Sequence, residues 1–142
     1  MKTILKYTLI ALLFLMAAPG EMNAKRVKTS QMYMFGFSAS FKDSIIYITD
    51  IQDVQGAWID SKTNFLLGRD VYSTQLQEHF NNQQQPNRVC AVYFDLSRKK
   101  IEKLYDKMKK KYVTKNPGMY NVHYLTAADF KFVAVDMAPE QE

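Results

Sequence analysis

At 142 residues, with 47% hydrophobic and 23% charged side chains, the chain has room for one substantial core and none for a second domain, and its composition excludes a disordered polymer. Its single cysteine, Cys90, excludes an intramolecular disulfide, and five glycines, none clustered, exclude a phosphate-cradling loop or a dinucleotide fingerprint. The formal net charge of +5 is a modest surplus that suits an anionic partner but is equally compatible with solubility alone.

The chain opens with Lys2 and Lys6 and then an apolar run, Tyr7 to Ala18, closed by Pro19-Gly20. That run is shorter than the roughly 20 residues a membrane-spanning helix needs, and it has the length of a signal-peptide apolar region. Residues 1–24 are therefore expected to be a cleaved signal peptide, cut after Ala24, with Gly20 as the competing site. An uncut membrane anchor is the alternative. Cleavage leaves 118 residues with 17 Lys+Arg against 13 Asp+Glu, a charge of +4. The mature part keeps Trp58, eight Tyr and eight Phe, and so has material for a core held without disulfides.

Residues 25–30 are expected to be a flexible start, 31–137 a single domain and 138–142 a tail. From Tyr33 to Phe41 the odd positions Tyr33, Phe35, Phe37, Ala39 and Phe41 alternate with Met34, Gly36, Ser38 and Ser40, the period of a half-buried strand. After Lys42-Asp43, the run Ser44 to Ile51 is apolar on both faces and reads as a central strand. The two are expected to pair as a hairpin, with Gly36 marking a bulge or a close backbone approach. A third strand is expected around Trp58, and a buried loop or short strand near Leu66. A first helix should start at Asp70 as its N-cap, with Tyr72, Leu76 and Phe80 facing the core. Asn81 to Asn87, with Pro86, reads as a surface loop.

Val89 to Phe94 is apolar on both faces and is expected in mid-sheet. A second helix follows, capped by Asp95 or Ser97, with Ile101, Leu104, Tyr105, Met108 and Tyr112 in one stripe and Leu104 and Met108 at its centre. Pro117-Gly118 ends it. Tyr120, Val122 and Tyr124 alternate as an edge strand, and Phe130 to Val135 is expected to close the sheet. The fold class that follows is α+β: a two-layer sandwich, with a largely antiparallel sheet of about five strands and two helices on one face.

Chemistry-bearing residues are sparse. Cys90 becomes a nucleophile only beside a base such as His79 or His123, yet it lies in an apolar strand, where cysteines are inert core residues. The histidines lack metal-ligand partners at helical spacing, and Asp50, Asp53 and Gly56 do not continue as a calcium loop because Gln52 and Val54 interrupt it. No metal, cofactor or catalytic residue is assigned.

The concentrated feature is the second helix, where Arg98, Lys99, Lys100, Lys103, Lys107, Lys109, Lys110 and Lys111 face only Glu102 and Asp106. Lys109 to Lys111 complement the helix C-terminus, and Asp106 has Lys110 at i+4; Arg98, Lys99, Lys100 and Lys103 have no such account. Those four form a candidate ridge for an anionic partner, and Trp58 is a candidate aromatic contact on a sheet with one aromatic face uncovered. The functional expectation is an exported, non-catalytic binding or interaction module of the bacterial cell envelope, periplasmic or secreted. Its expected partners are an anionic envelope polymer, a lipid surface or another envelope protein; nucleic acid and membrane integration are not expected. The alternative is a small exported hydrolase or thiol enzyme around Cys90 and a histidine.

Overall fold

The computed structural model describes residues 25–140. The expected signal peptide, 1–24, and the last two residues of the expected tail lie outside the described residues. The elements are β1 Arg26–Lys28, β2 Tyr33–Ala39, β3 Ile45–Thr49, β4 Gln52–Asp53, β5 Trp58–Asp60, α1 Arg69–Asn82, β6 Val89–Asp95, α2 Arg98–Lys109 and β7 Asn121–Leu125. This is an α+β fold. Its main sheet has five strands, with β2 at the centre, β6 on one side, β3 and β4 on the other, and β7 beside β3. All neighbours are antiparallel except β3 and β7.

The expected β2–β3 hairpin forms, and Gly36 plays both roles assigned to it. Phe37 faces Ile48 and Ser38 faces Tyr47, but Met34 faces Gln52 and Tyr33 faces Asp53, so the β3–β4 side holds one extra residue, a bulge. There the Gly36 N–H donates to Thr49 Oγ1 at 2.8 Å instead of to a ladder carbonyl. A Cβ at Gly36 would stand 2.7 Å from Leu76 Cδ2, which shows how closely α1 approaches the sheet.

Successive strand residues point to opposite faces, and in β2 that alternation separates two cores. Met34 joins Tyr72, Leu76 and Phe80 of α1 and Val92 of β6. Phe35 joins Ile46 and Ile48 of β3 and Ile101 of α2, with Tyr33, Phe37 and Tyr105 packed around them. The helices therefore cover opposite faces, making three layers, and the expectation of two layers with both helices on one face is corrected. The aromatic face of β2 is covered by α2, not left open. β6 is corrected too: among the described residues it pairs only with β2, at the edge of the sheet. Its two apolar faces reflect a helix on each side and not a strand on each edge.

α1 buries Tyr72, Leu76 and Phe80 as expected, but its N-cap is Gly68, in the left-handed conformation with φ 74°, and not Asp70. Asp70 lies inside the first turn, where its charge still suits the helix dipole. The segment expected as a flexible start carries β1, which pairs with β5. Leu66 bridges Ile59 next to it.

Phe130 to Val135 does not form the closing strand. It crosses the α1 side, held by side chains: Gln52 Nε2 donates to the Phe130 carbonyl and Gln52 Oε1 accepts from the Phe132 N–H, both at 2.8 Å. Gln75 clamps Val133 in the same way at 2.9 and 3.0 Å, and Tyr72 Oη accepts from the Val135 N–H at 3.0 Å. A carboxamide presents a donor and an acceptor side by side, as a peptide unit does, so each glutamine replaces one rung of a ladder. Phe130 and Phe132 are thereby sunk in the α1 core.

Candidate functional site

α2 is the element that positions the charged residues. Ser97 is its N-cap, with Oγ accepting from the Lys100 N–H at 3.4 Å, while Asp95 Oδ1 holds the Ser97 N–H at 2.8 Å. Ile101 is fully buried and anchors the helix; Tyr105, Met108 and Tyr112 pack beside it. Leu104, expected at the centre of the stripe, is 38% exposed at its border, which corrects that expectation.

With Ile101 turned inward and about 100° per residue, Lys99, Lys100, Lys103, Lys107, Lys110 and Lys111 fall within an outer arc of roughly 120°. All six are exposed. Glu102 and Asp106 lie just beyond the Lys99 edge of that arc, and among the described residues no carboxylate forms an ion pair with any of the six. Asp106 and Lys110 do not pair. Arg98, expected among the free charges, is engaged: its Nε is 3.0 Å from Glu102 Oε1, and its guanidinium lies over the Tyr33 ring at 5.6 Å. The cationic surface is thus shifted from the expected four residues toward the C-terminal half of the helix. Lys100 also borders a cleft of about 380 Å³ with Phe65, Phe94 and Leu96.

At its C-terminal end α2 widens into a π-helical turn, Lys110–Thr114, where the Lys115 N–H reaches the Lys110 carbonyl at 2.8 Å. Between this turn and β7 lies a cleft of about 200 Å³ lined by Tyr112, Val113, Gly118, Tyr120, Val122 and Tyr124. Tyr112 meets Tyr120 edge-on at 5.1 Å. Two cations stand over neighbouring rings, Lys109 Nζ at 5.3 Å from Tyr124 and Lys111 Nζ at 5.2 Å from Tyr112.

The other sequence-chosen residues do not converge. Cys90, Ser38, Tyr47 and His123 share one row across four strands, so His123 is about 14 Å from Cys90 at roughly 4.8 Å per strand. Cys90 is half-buried, 3.6 Å from Ser38 Oγ, and burial pushes its thiol pKa up, away from the thiolate a nucleophile needs. His79 packs between the Phe80 and Phe130 rings. Trp58 is half-buried in β5 and borders a shallow groove with Lys28 and Asp136, away from α2.

Sequence reasoning missed Arg88, which is only 5% exposed. Its Nε donates to Ser38 Oγ at 2.9 Å and Nη2 donates to the Ile45 carbonyl at 2.6 Å, while Nη1 faces Asp43 Oδ1 at 3.7 Å. The guanidinium also stacks on Tyr47 and Phe80 at 4.8 and 5.4 Å. Arg88 thus staples the turn end of the β2–β3 hairpin. Nothing in a polar Pro-Asn-Arg loop signals a buried cation, because its partners, the Ser38 hydroxyl, the Ile45 carbonyl and the Asp43 carboxylate, come from a hairpin far away in sequence.

Among the described residues no group of three or more His, Cys, Asp or Glu is placed to hold a metal ion, and no helix is long and apolar enough to cross a membrane. Comparison with protein-family models, with curated proteins and with solved structures gives no match.

Proposed function

We propose that the chain is an exported, single-domain, non-catalytic binding module of the bacterial cell envelope, and that the outer face of α2 is its contact with an anionic envelope component. The observation that carries this reading is the arc of six exposed lysines without carboxylate partners among the described residues, on a helix anchored by Ile101. Like charges on successive turns repel one another, and an anionic partner relieves that repulsion. The apolar run at residues 7–18 supports export. Against the thiol-enzyme alternative stand the separation of Cys90 from His123 and the raised thiol pKa.

The test is retention of the purified protein on cell-wall material and on anionic vesicles across a salt series. Exposed charges are screened over about 8 Å at physiological ionic strength, so retention should fall steeply as salt rises. A Lys99→Glu, Lys103→Glu double variant that keeps its thermal transition should lose most of it. Retention indifferent to both salt and charge reversal removes α2 as the contact.

A further inference from the structure

We propose that the tyrosine cleft at the C-terminal end of α2 seats a sugar ring of an acidic polysaccharide, with the lysine arc holding neighbouring charges of the same polymer. This rests on the reading of α2 as an anion-binding face, and gives that face a substrate class.

Two features of the cleft point to this ligand. Its lining consists of Tyr112, Tyr120 and Tyr124 with Val113, Val122 and Gly118, so it offers aromatic and apolar walls and no carboxylate. A saturated sugar ring has an apolar C–H face and hydroxyls at its rim, and a tyrosine matches both with an apolar ring and a polar tip. Lys109 and Lys111 place ammonium groups over the Tyr124 and Tyr112 rings, giving the apolar site a cationic border. That border selects an acidic sugar over a neutral one.

Size and surroundings narrow the class further. At about 200 Å³ the cleft is smaller than the roughly 300 Å³ at which drug-sized pockets begin, a size that suits a single ring. An acidic peptide carries the charge but has no flat saturated ring for the tyrosines. The cleft and the arc are continuous along α2, since Lys110 and Lys111 belong to the arc and to the π-helical turn that carries Tyr112 and Val113. A π turn adds a residue to the helical repeat, and such turns recur at functional sites.

The experiment is calorimetric titration of the purified protein with polygalacturonate and with polyglutamate of matched length and charge. Dextran supplies sugar without charge, and phosphatidylglycerol vesicles supply a lipid surface. Polygalacturonate should bind about tenfold more tightly than polyglutamate, and Tyr124→Ala should abolish most of that preference while leaving polyglutamate unchanged. Tyr124 is 44% exposed, so this variant should fold. Val113→Asn, an uncharged change at an equally open site on the cleft wall, is the second variant and should weaken polygalacturonate while leaving polyglutamate unchanged. Equal affinity for the two polyanions, tighter binding to vesicles, or indifference to both cleft variants would overturn the sugar assignment and leave the arc standing. Sensitivity to Tyr124→Ala with indifference to Lys99→Glu, Lys103→Glu would overturn the arc and keep the cleft.

Discussion

Gly36 shows how one residue can carry a packing decision. Its N–H is bound by the Thr49 hydroxyl, and the space a Cβ would need is held by Leu76, by the Phe132 ring 3.2 Å away and by Thr49 Cγ2 at 3.3 Å. Gly36→Ala must therefore displace the Leu76 side chain and crowd Phe132 and Thr49, and it should cost about 1–3 kcal/mol, as overpacking does. Denaturant titration checks this; a neutral substitution would mean that Leu76 yields freely. The glycine was recognisable in the sequence as an interruption of a strand pattern, but its neighbours were not, because Leu76 and Phe132 arrive from elements 40 and 96 residues away. Arg88 was invisible for the same reason.

Within elements, periodicity identified the helices, the β2–β3 hairpin and the buried side of α1, because side-chain direction follows from backbone geometry alone. It did not locate the centre of the α2 stripe. Ile101 and Leu104 are equally apolar, and which of them is covered depends on where the sheet ends. Ile101→Ala should cost about 2–5 kcal/mol, and Leu104→Ala, at a position 38% exposed, about 1 kcal/mol or less. Equal costs in a denaturant titration would mean that the helix is rotated from this placement. The C-terminal segment offers a second test at this scale. Gln52→Leu removes both partners of buried backbone groups at Phe130 and Phe132, each worth about 1–3 kcal/mol when left unsatisfied. Hydrogen exchange at the Phe132 amide should accelerate accordingly. Phe130 to Val135 has the composition of a strand; it is held by glutamine side chains, a choice no local pattern encodes.

Across the whole molecule, burial raises the pKa of three groups that ionise in alkali: Cys90 and Tyr72 on the α1 side and Tyr105 on the α2 side. A group whose pKa is higher in the folded than in the unfolded chain stabilises the fold below its unfolded value and loses that contribution as pH rises through the folded one. Starting from ordinary values of 9.0 for the thiol and 10.0 for the phenols, stability should decline from about pH 9 upward. Thermal transitions measured from pH 7 to 11 should show the fall, and Tyr72→Phe should make it shallower. An unchanged profile in that variant would mean that the Tyr72 phenol ionises as readily in the fold as in the unfolded chain.

The sequence by itself determined the α+β class, the mostly antiparallel sheet, most element positions and the basic character of α2. Each of these follows from local composition and from the fixed periods of helix and strand. Tertiary structure alone decided which face each helix covers, the edge position of β6, the burial of Arg88 and the cleft that Tyr112, Tyr120 and Tyr124 form together. The apolar character of both faces of β3 and β6 contained the layering, since a strand apolar on both sides must be covered on both sides. Whether strands or helices do the covering is set by chain path, and chain path is a property of contacts between residues far apart in sequence.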